Sequence, residues 1–331
     1  MFQRCLFLFC LWTWSWCAIA SEEVVFLHTG HQLSGQYLAP LNGQHAKAVL
    51  LFVHGDGAMT YDADGYYAIF WQPLREKGFA IFSWDKPGVG KSTGRWLNQS
   101  MSDRQSEVRA AAKAVQDKYG FTSKQTGLVG FSQAGWVLPE LAKQPSDFGF
   151  MIGIGFASDW IAQGRYYART RLAITGASSE TLKAGLADYD KEIALLRTQP
   201  SFLHYQSVVG EGDLSKERYS FVLRNFQSNA VADYPHIAIP TLLLWGDQDL
   251  NVDARSEYRW WQVHPNPWVT TQLIKNASHG LLKADTFHSQ QFGLLQWIKL
   301  MWMEQDAMAP DVLPTLLTWL NALPVSSIER D

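Results

Sequence analysis

Apolar residues in this chain gather into short continuous runs separated by stretches of helical periodicity. Ala48–Val53 (AVLLFV) and Phe79–Trp84 (FAIFSW) are almost unbroken, as strands buried on both faces must be. Gly127–Phe131, Phe148–Phe156, Pro240–Trp245 and Trp268–Ile274 read the same way. Ahead of them, Val24–Leu27 and Leu33–Ala39 read as two strands turned at Gly30, an antiparallel edge. Helices are predicted over Tyr66–Glu76, Ser102–Tyr119, Gln133–Lys143 and Pro314–Leu320. Ser102 with Gln105 is read as the capping box of the second, and Gly120 as its stop. Strands alternating with helices predict a mostly parallel α/β sheet with helices on both faces.

The alternation breaks once. Residues 157–237 contain no strand pattern, and Leu182, Leu186, Tyr189, Ile193 and Leu196 recur at helical spacing after Ser178, Ser179 and Glu180. This segment is expected to be a helical cap over the carboxyl ends of the strands, where ligands of such sheets bind. Its Trp160, Tyr166, Tyr167 and Tyr205 are rings suited to an apolar pocket. The α/β core is then residues 21–156 and 238–331.

The first twenty residues carry a different message. Arg4 precedes an apolar run, CLFLFCLWTWSW, and Ala18 and Ala20 stand at −3 and −1 before Ser21. This is the layout of a cleaved secretory signal peptide, and it places the protein in the periplasm or outside the cell with no stable membrane span after cleavage. All three cysteines (Cys5, Cys10, Cys17) lie in this segment, so the remaining chain has no disulfide and no thiolate. A hydrophobic share of 47% excludes a disordered chain, and a net charge of −3 gives no basic footprint for nucleic acid.

Chemistry concentrates at strand ends. The strand Gly127–Phe131 runs into Gly130–Phe131–Ser132–Gln133–Ala134 and then a predicted helix, the layout of a nucleophile elbow with Ala134 in place of the usual last glycine. Such a turn presents Ser132 as a nucleophile, which needs a base and an acid to orient the base. Asp249 follows the strand ending at Trp245, and His279 follows the strand ending at Ile274. The order Ser132, Asp249, His279 is that of α/β-hydrolases. Asp249 is preferred to Asp247, which is read as a turn residue. His54–Gly55–Asp56–Gly57, beyond the strand Ala48–Val53, is expected to offer the backbone N–H of Asp56 to an oxyanion, with the N–H of Gln133 as its partner. His54 itself is read as structural.

Other motifs are set aside. Asp85–Lys86–Pro87–Gly88–Val89–Gly90–Lys91–Ser92 resembles a phosphate-binding loop, but Asp85 stands where that loop needs its first glycine, so no nucleotide is expected. No metal-ligand pattern is present, so no metal is expected. The sequons at Asn98 and Asn276 are read as chance matches, since modification at Asn276 would obstruct His279.

Taken with the segments LLFVHGDG, WDKPGVGKSTG, GLVGFSQAGW, PTLLLWGDQD and NASHG, the sequence resembles the α/β-hydrolase superfamily, and within it the bacterial esterase D-type serine esterases, relatives of acylaminoacyl-peptidase-like hydrolases. The resemblance implies an α/β-hydrolase fold and cofactor-free hydrolysis of a small carboxylic ester. An exported peptidase or thioesterase on the same residues, and a non-catalytic binding protein of the same fold, are the alternatives. Asp56 departs from the family pattern by placing a carboxylate beside the oxyanion loop, so its side chain is expected to be turned away or hydrogen-bonded.

Overall fold

The computed structural model describes residues 21–210, 212 and 214–324, so the signal-peptide reading of residues 1–20 lies outside the described residues. The chain opens with a hairpin, β1 (Ser21–His28) and β2 (His31–Leu38). Its two-residue turn holds both Thr29 and Gly30 at positive φ (47° and 79°), the backbone that matches the twist of paired strands. Then come β3 (Ala48–Val53), α1 (Ala68–Glu76), β4 (Phe79–Trp84), α2 (Met101–Tyr119), β5 (Thr126–Phe131), α3 (Leu138–Leu141) and β6 (Phe150–Ile154). Four helices follow: α4 (Trp160–Ile174), α5 (Ser179–Arg197), α6 (Phe202–Val209) and α7 (Lys216–Asn225). The sheet resumes with β7 (Thr241–Gly246), α8 (Ala254–Val263) and β8 (Val269–Ile274), and α9 (Leu294–Met303) and α10 (Val312–Asn321) complete the order.

The eight strands lie in the order β1-β2-β4-β3-β5-β6-β7-β8. β1, β2 and β4 pair antiparallel in sequence, and all pairings from β4 through β8 are parallel. The alternation of β3 explains the two helical layers. Val49, Leu51 and Val53 pack on one face with Val108, Ala111 and Val115 of α2. Ala48, Leu50 and Phe52 pack on the other with Ile69, Phe70 and Leu74 of α1 and Leu316 and Leu320 of α10. Each large side chain so buried contributes about 1.5–3 kcal/mol relative to exposure.

Some boundaries differ from the sequence reading. The cap of α2 is Ser100, not Ser102: its Oγ accepts the Asp103 N–H at 3.1 Å, and the Asp103 carboxylate accepts the Ser100 N–H at 2.8 Å. Asp103 fills the place usually held by Glu or Gln, and only Ser100 has the extended backbone a cap needs (φ −84°, ψ 170°). Gly120 does end the helix, at φ 74°. The helix expected over Gln133–Lys143 is broken into a 3-10 turn (Ser132–Trp136) and the short α3. Pro139, with no N–H to give to the turn before it, prevents one continuous helix. The strand expected over Phe148–Phe156 pairs only over Phe150–Ile154. Helices α8 and α9 lie outside the elements that the sequence pattern predicts.

The four inserted helices form a unit with a small core of their own, Ile193, Leu196, Tyr205, Tyr219 and Phe226. They leave and return through a paired neck: Ala230 N–H donates to Ser158 O (2.8 Å) and Trp160 N–H to Ser228 O (3.0 Å). Glu257 of α8 fixes that neck, its Oε1 accepting both the N–H and the hydroxyl of Ser158 (3.0 and 2.9 Å).

At the carboxyl edge, backbones approach closely. A Cβ on Gly246 would stand 2.2 Å from Ala277 O and 2.3 Å from Ser278 O. No flexible side chain can yield there, so Gly246→Ala should destabilise the fold by about 1–3 kcal/mol. Urea denaturation of the variant measures this, and an unchanged midpoint would contradict the packing described.

Candidate active site

The end of β5 delivers Ser132 on a strained turn. Its φ is +50°, a left-handed conformation that L residues with a side chain adopt only when their surroundings impose it. The neighbours show how room is made. A Cβ on Gly130 would lie 2.5 Å from Leu138 Cδ1 and 2.9 Å from the Ala134 Cβ. The methyl of Ala134 is therefore accommodated because the residue facing it is a glycine. Gly55 is less tightly confined, its ideal Cβ position 3.3 Å from both Phe131 O and Ser132 Cβ.

Asp249 and His279 meet as the sequence order suggested. Asp249 Oδ2 lies 2.7 Å from His279 Nδ1, and Oδ1 accepts the backbone N–H groups of Asn251 (2.7 Å) and Val252 (2.9 Å). The carboxylate is wholly buried while the imidazole keeps 21% of its surface. Burial works to lower the His279 pKa, but the charge of Asp249 and their hydrogen bond outweigh it and leave it raised. Asp247 lies in the turn after β7, and its Oδ1 accepts the Asn276 N–H at 2.7 Å, which ties the end of β7 to the loop carrying His279. Gly155, at φ 62°, lets that loop close in, since a Cβ there would meet His279 Cε1 at 2.9 Å.

Ser132, Gln133, Asp56 and His279 line one cavity of about 840 Å³. Tyr66, Tyr67, Phe131, Phe292 and Trp297 form apolar wall on the core side, and Trp160, Tyr167, Leu214 and Val222 bring the inserted helices to the other. Of the four rings expected there, Trp160 and Tyr167 line the cavity and two do not. The Tyr166 hydroxyl donates to Asp249 O (2.8 Å), bracing the acid's turn from α4, and Tyr205 is buried in the core of the insertion.

The loop 54–57 is held from behind by charged groups that the sequence reading did not identify. Arg104, buried on α2, donates from Nη1 to Gln133 Oε1 (2.8 Å) and from Nη2 to His54 O (2.5 Å), joining the elbow to this loop. Lys86 Nζ donates to Gly55 O (2.6 Å) and Gly57 O (2.9 Å). The His54 ring donates Nε2–H to Trp84 O (2.5 Å), which leaves Nδ1 to accept from the Tyr67 hydroxyl (3.1 Å). Burial above all, with the nearby charge of Lys86, pushes the His54 pKa down to about 3, so the ring stays neutral and structural. Asp56 is hydrogen-bonded, as expected: Arg218 of α7 grips both its oxygens and Gln133 Nε2 donates to Oδ1. A signal for Arg104 existed in its spacing, since Met101, Arg104, Val108, Ala111 and Val115 share the inward stripe of α2. Nothing local in the sequence pairs Arg218 with Asp56, 162 positions away.

The loop resembling a phosphate cradle is closed on itself. Asp85 accepts the N–H groups of Tyr61 (2.8 Å) and Lys91 (2.9 Å), and a Cβ on Gly90 would lie 2.2 Å from its Oδ2. Among the described residues no cluster of His, Cys, Asp and Glu could hold a metal ion, and no helix is long and apolar enough to cross a membrane.

Replacing Arg104 by Met should remove its bonds to Gln133 and His54 and leave both buried acceptors without them. A loss of about 1–3 kcal/mol is expected, and chemical denaturation compared with Arg104→Lys, which keeps the charge, measures it.

The sequence profile of the serine aminopeptidase (S33) family matches residues 44–286, well over half of the chain. Among curated proteins, none matches. Solved structures share the fold at low identity. An esterase from Pyrococcus furiosus aligns at 16% identity and TM-score 0.59 over 92% of this chain and 91% of that one. The α/β-hydrolase GrgF from a Penicillium species aligns at 15% and 0.59 over 92% and 98%. Proline iminopeptidase from Mycobacterium smegmatis aligns at 19% and 0.53 over 86% and 98%. The mostly parallel sheet flanked by helices is thus that of the α/β-hydrolases, and the chain is a serine hydrolase belonging to the serine aminopeptidase (S33) family.

Proposed function

We propose that the protein cleaves carboxylic esters through an acyl-enzyme formed on Ser132. The observation that carries this reading is the convergence, on one cavity, of a serine held at positive φ and a histidine bonded to a buried carboxylate. In the proposed reaction Ser132 Oγ attacks the ester carbonyl carbon, and His279 Nε2 takes its proton. Asp249 keeps the Nδ1–H pointed inward and stabilises the imidazolium. The backbone N–H groups of Asp56 and Gln133 receive the oxyanion. The intermediate then collapses, the C–O bond to the alcohol breaks, and His279 returns the proton to the leaving oxygen. Water, deprotonated by His279, releases the acid and restores Ser132.

The family and one of the structural neighbours carry peptidase names, so an aminopeptidase on the same residues is the second reading. Binding a substrate's free ammonium would call for an available carboxylate. The one Asp or Glu lining the cavity, among the described residues, is Asp56, and it is engaged by Arg218. That engagement favours a neutral ester. The apolar walls supplied by the inserted helices support their role as a cap that sets substrate size. Residues 1–20 support export, which would remove coenzyme A thioesters from reach.

Ser132→Ala should lower turnover of short-chain p-nitrophenyl esters by several orders of magnitude, against little change for aminoacyl arylamides if those are not substrates. Fluorophosphonate labelling should fall on the peptide containing Ser132; label elsewhere, or a variant keeping a tenth of the activity, would overturn the reading.

The pH profile offers a separate check. The base works only when neutral and its pKa is raised, so kcat/KM should climb as pH rises through a value above that of an ordinary histidine. In Asp249→Asn the raising influences are weakened and burial remains, so the acid limb of the residual activity should move to lower pH. A limb that stays in place would separate His279 from Asp249.

A further inference from the structure

Asp56 poses an electrostatic difficulty for the reaction proposed above. Its backbone N–H is assigned to the oxyanion, and its carboxylate is bonded to the side chain of the residue that offers the second amide: Gln133 Nε2 donates to Asp56 Oδ1 at 3.0 Å. A bare negative charge here would oppose the negative charge developing on the substrate oxygen, in a partly water-excluded cavity where such effects are amplified. The structure supplies a cation from the insertion rather than from the core. Arg218 meets the carboxylate as a two-pronged pair, Nη1 to Oδ1 at 2.9 Å and Nη2 to Oδ2 at 2.5 Å. Its guanidinium is backed by the Trp96 and Phe221 rings, 5.6 and 5.0 Å away, which fix its orientation.

Two features separate this pair from an ordinary clasp. The two side chains keep 30% and 44% of their surface, and a pair so exposed adds little stability. The helix that carries Arg218 is also docked independently of it. Asn225 accepts from Met101 N–H (3.1 Å) and donates to Gln99 O (3.0 Å), Arg224 donates to Leu97 O (3.2 Å), and Glu217 pairs with Arg95.

Resting on the hydrolase reading, we propose that Arg218 is a positioning residue for catalysis, which neutralises Asp56 and keeps its carboxylate out of the oxyanion hole, so that the hole is competent only with the inserted helices in place. The ester oxygen is then received by two amides with no net charge opposing them, although one amide belongs to an aspartate.

The test is a charge-rescue series of Arg218→Gln, Asp56→Asn and the double variant. Two readouts are used, kcat on a p-nitrophenyl ester and the rate of fluorophosphonate labelling at Ser132, which also develops charge on an oxygen in the hole. Arg218→Gln should lower both by roughly tenfold or more, with KM changed by less than about threefold, on the scale of weakening rather than removing oxyanion stabilisation. Adding Asp56→Asn should recover about fivefold or more of that loss, because the opposing charge is gone. A purely structural clasp predicts the reverse: Asp56→Asn alone would lose as much as Arg218→Gln, and the double variant would stay at or below it. That result, or an Arg218→Gln protein with wild-type kcat, overturns the proposal. Near-UV circular dichroism of each variant confirms that the helices remain docked. If Ser132 labels normally and Ser132→Ala is inactive while the rescue fails, this inference falls alone. If Ser132 of the unaltered protein does not label at all, the hydrolase reading falls with it.

Discussion

Everything at the site is arranged around one unfavourable residue conformation. A serine at φ +50° costs free energy of order 1 kcal/mol or more, and it persists because the surroundings leave it no alternative. Leu138 and Ala134 close on Gly130 before it, Phe156 closes on Gly135 after it, and Gly55 lies against its Cβ. These contacts come from three parallel strands and the turns that follow them, so the whole centre of the sheet has to be assembled before the turn can be held. The reward is a hydroxyl standing clear of the backbone, facing a cavity instead of a helix.

The same economy governs the electrostatics. In the proposed reaction the base must sit where solvent can be displaced, yet its carboxylate partner must not be lost to water. Burial and partnership are divided accordingly: Asp249 is wholly enclosed and supported by two backbone amides, while His279 remains partly open. Behind the loop 54–57, the buried Arg104 and Lys86 bond to the backbone carbonyl oxygens of His54, Gly55 and Gly57, so the backbone on either side of Asp56 is fixed from within the core.

Much of this was legible in the sequence, for a physical reason. Strands buried on both faces must be apolar throughout, so β3, β4 and β5 announced themselves, and the chemistry of such folds gathers where those runs end. Ser132, Asp249 and His279 each stand just past such a run. What escaped notice lacked local period or local partner. In α9, LLQWIKLMWM has only Gln296 and Lys299 to mark a polar side, and the apolar Leu294, Leu295, Ile298 and Trp302 are exposed, so inside and outside cannot be told apart by pattern. The cap of α2 differs by two positions because Ser100 and Ser102 each have a polar residue three positions on, and the sequence alone does not show that Asp103 rather than Gln105 is the reciprocal partner. The grip of Arg218 on Asp56 joins an inserted segment to a loop far upstream, and only the folded chain brings them together.

The paired neck of the insertion bears on how the chain can fold at all. Residues between β6 and β7 would, as a floppy loop, separate neighbouring parallel strands by a long excursion, and closing it would reduce chain entropy, though only slowly with length. Here Ser158–Trp160 and Ser228–Ala230 are hydrogen-bonded to one another and the helices between them share a private core. From the standpoint of the sheet, the insertion therefore behaves as a connection only a few residues long. Its length can change without disturbing the register of β6 with β7, provided that the neck and the contacts of Tyr166, Arg218 and Asn225 with the core are kept.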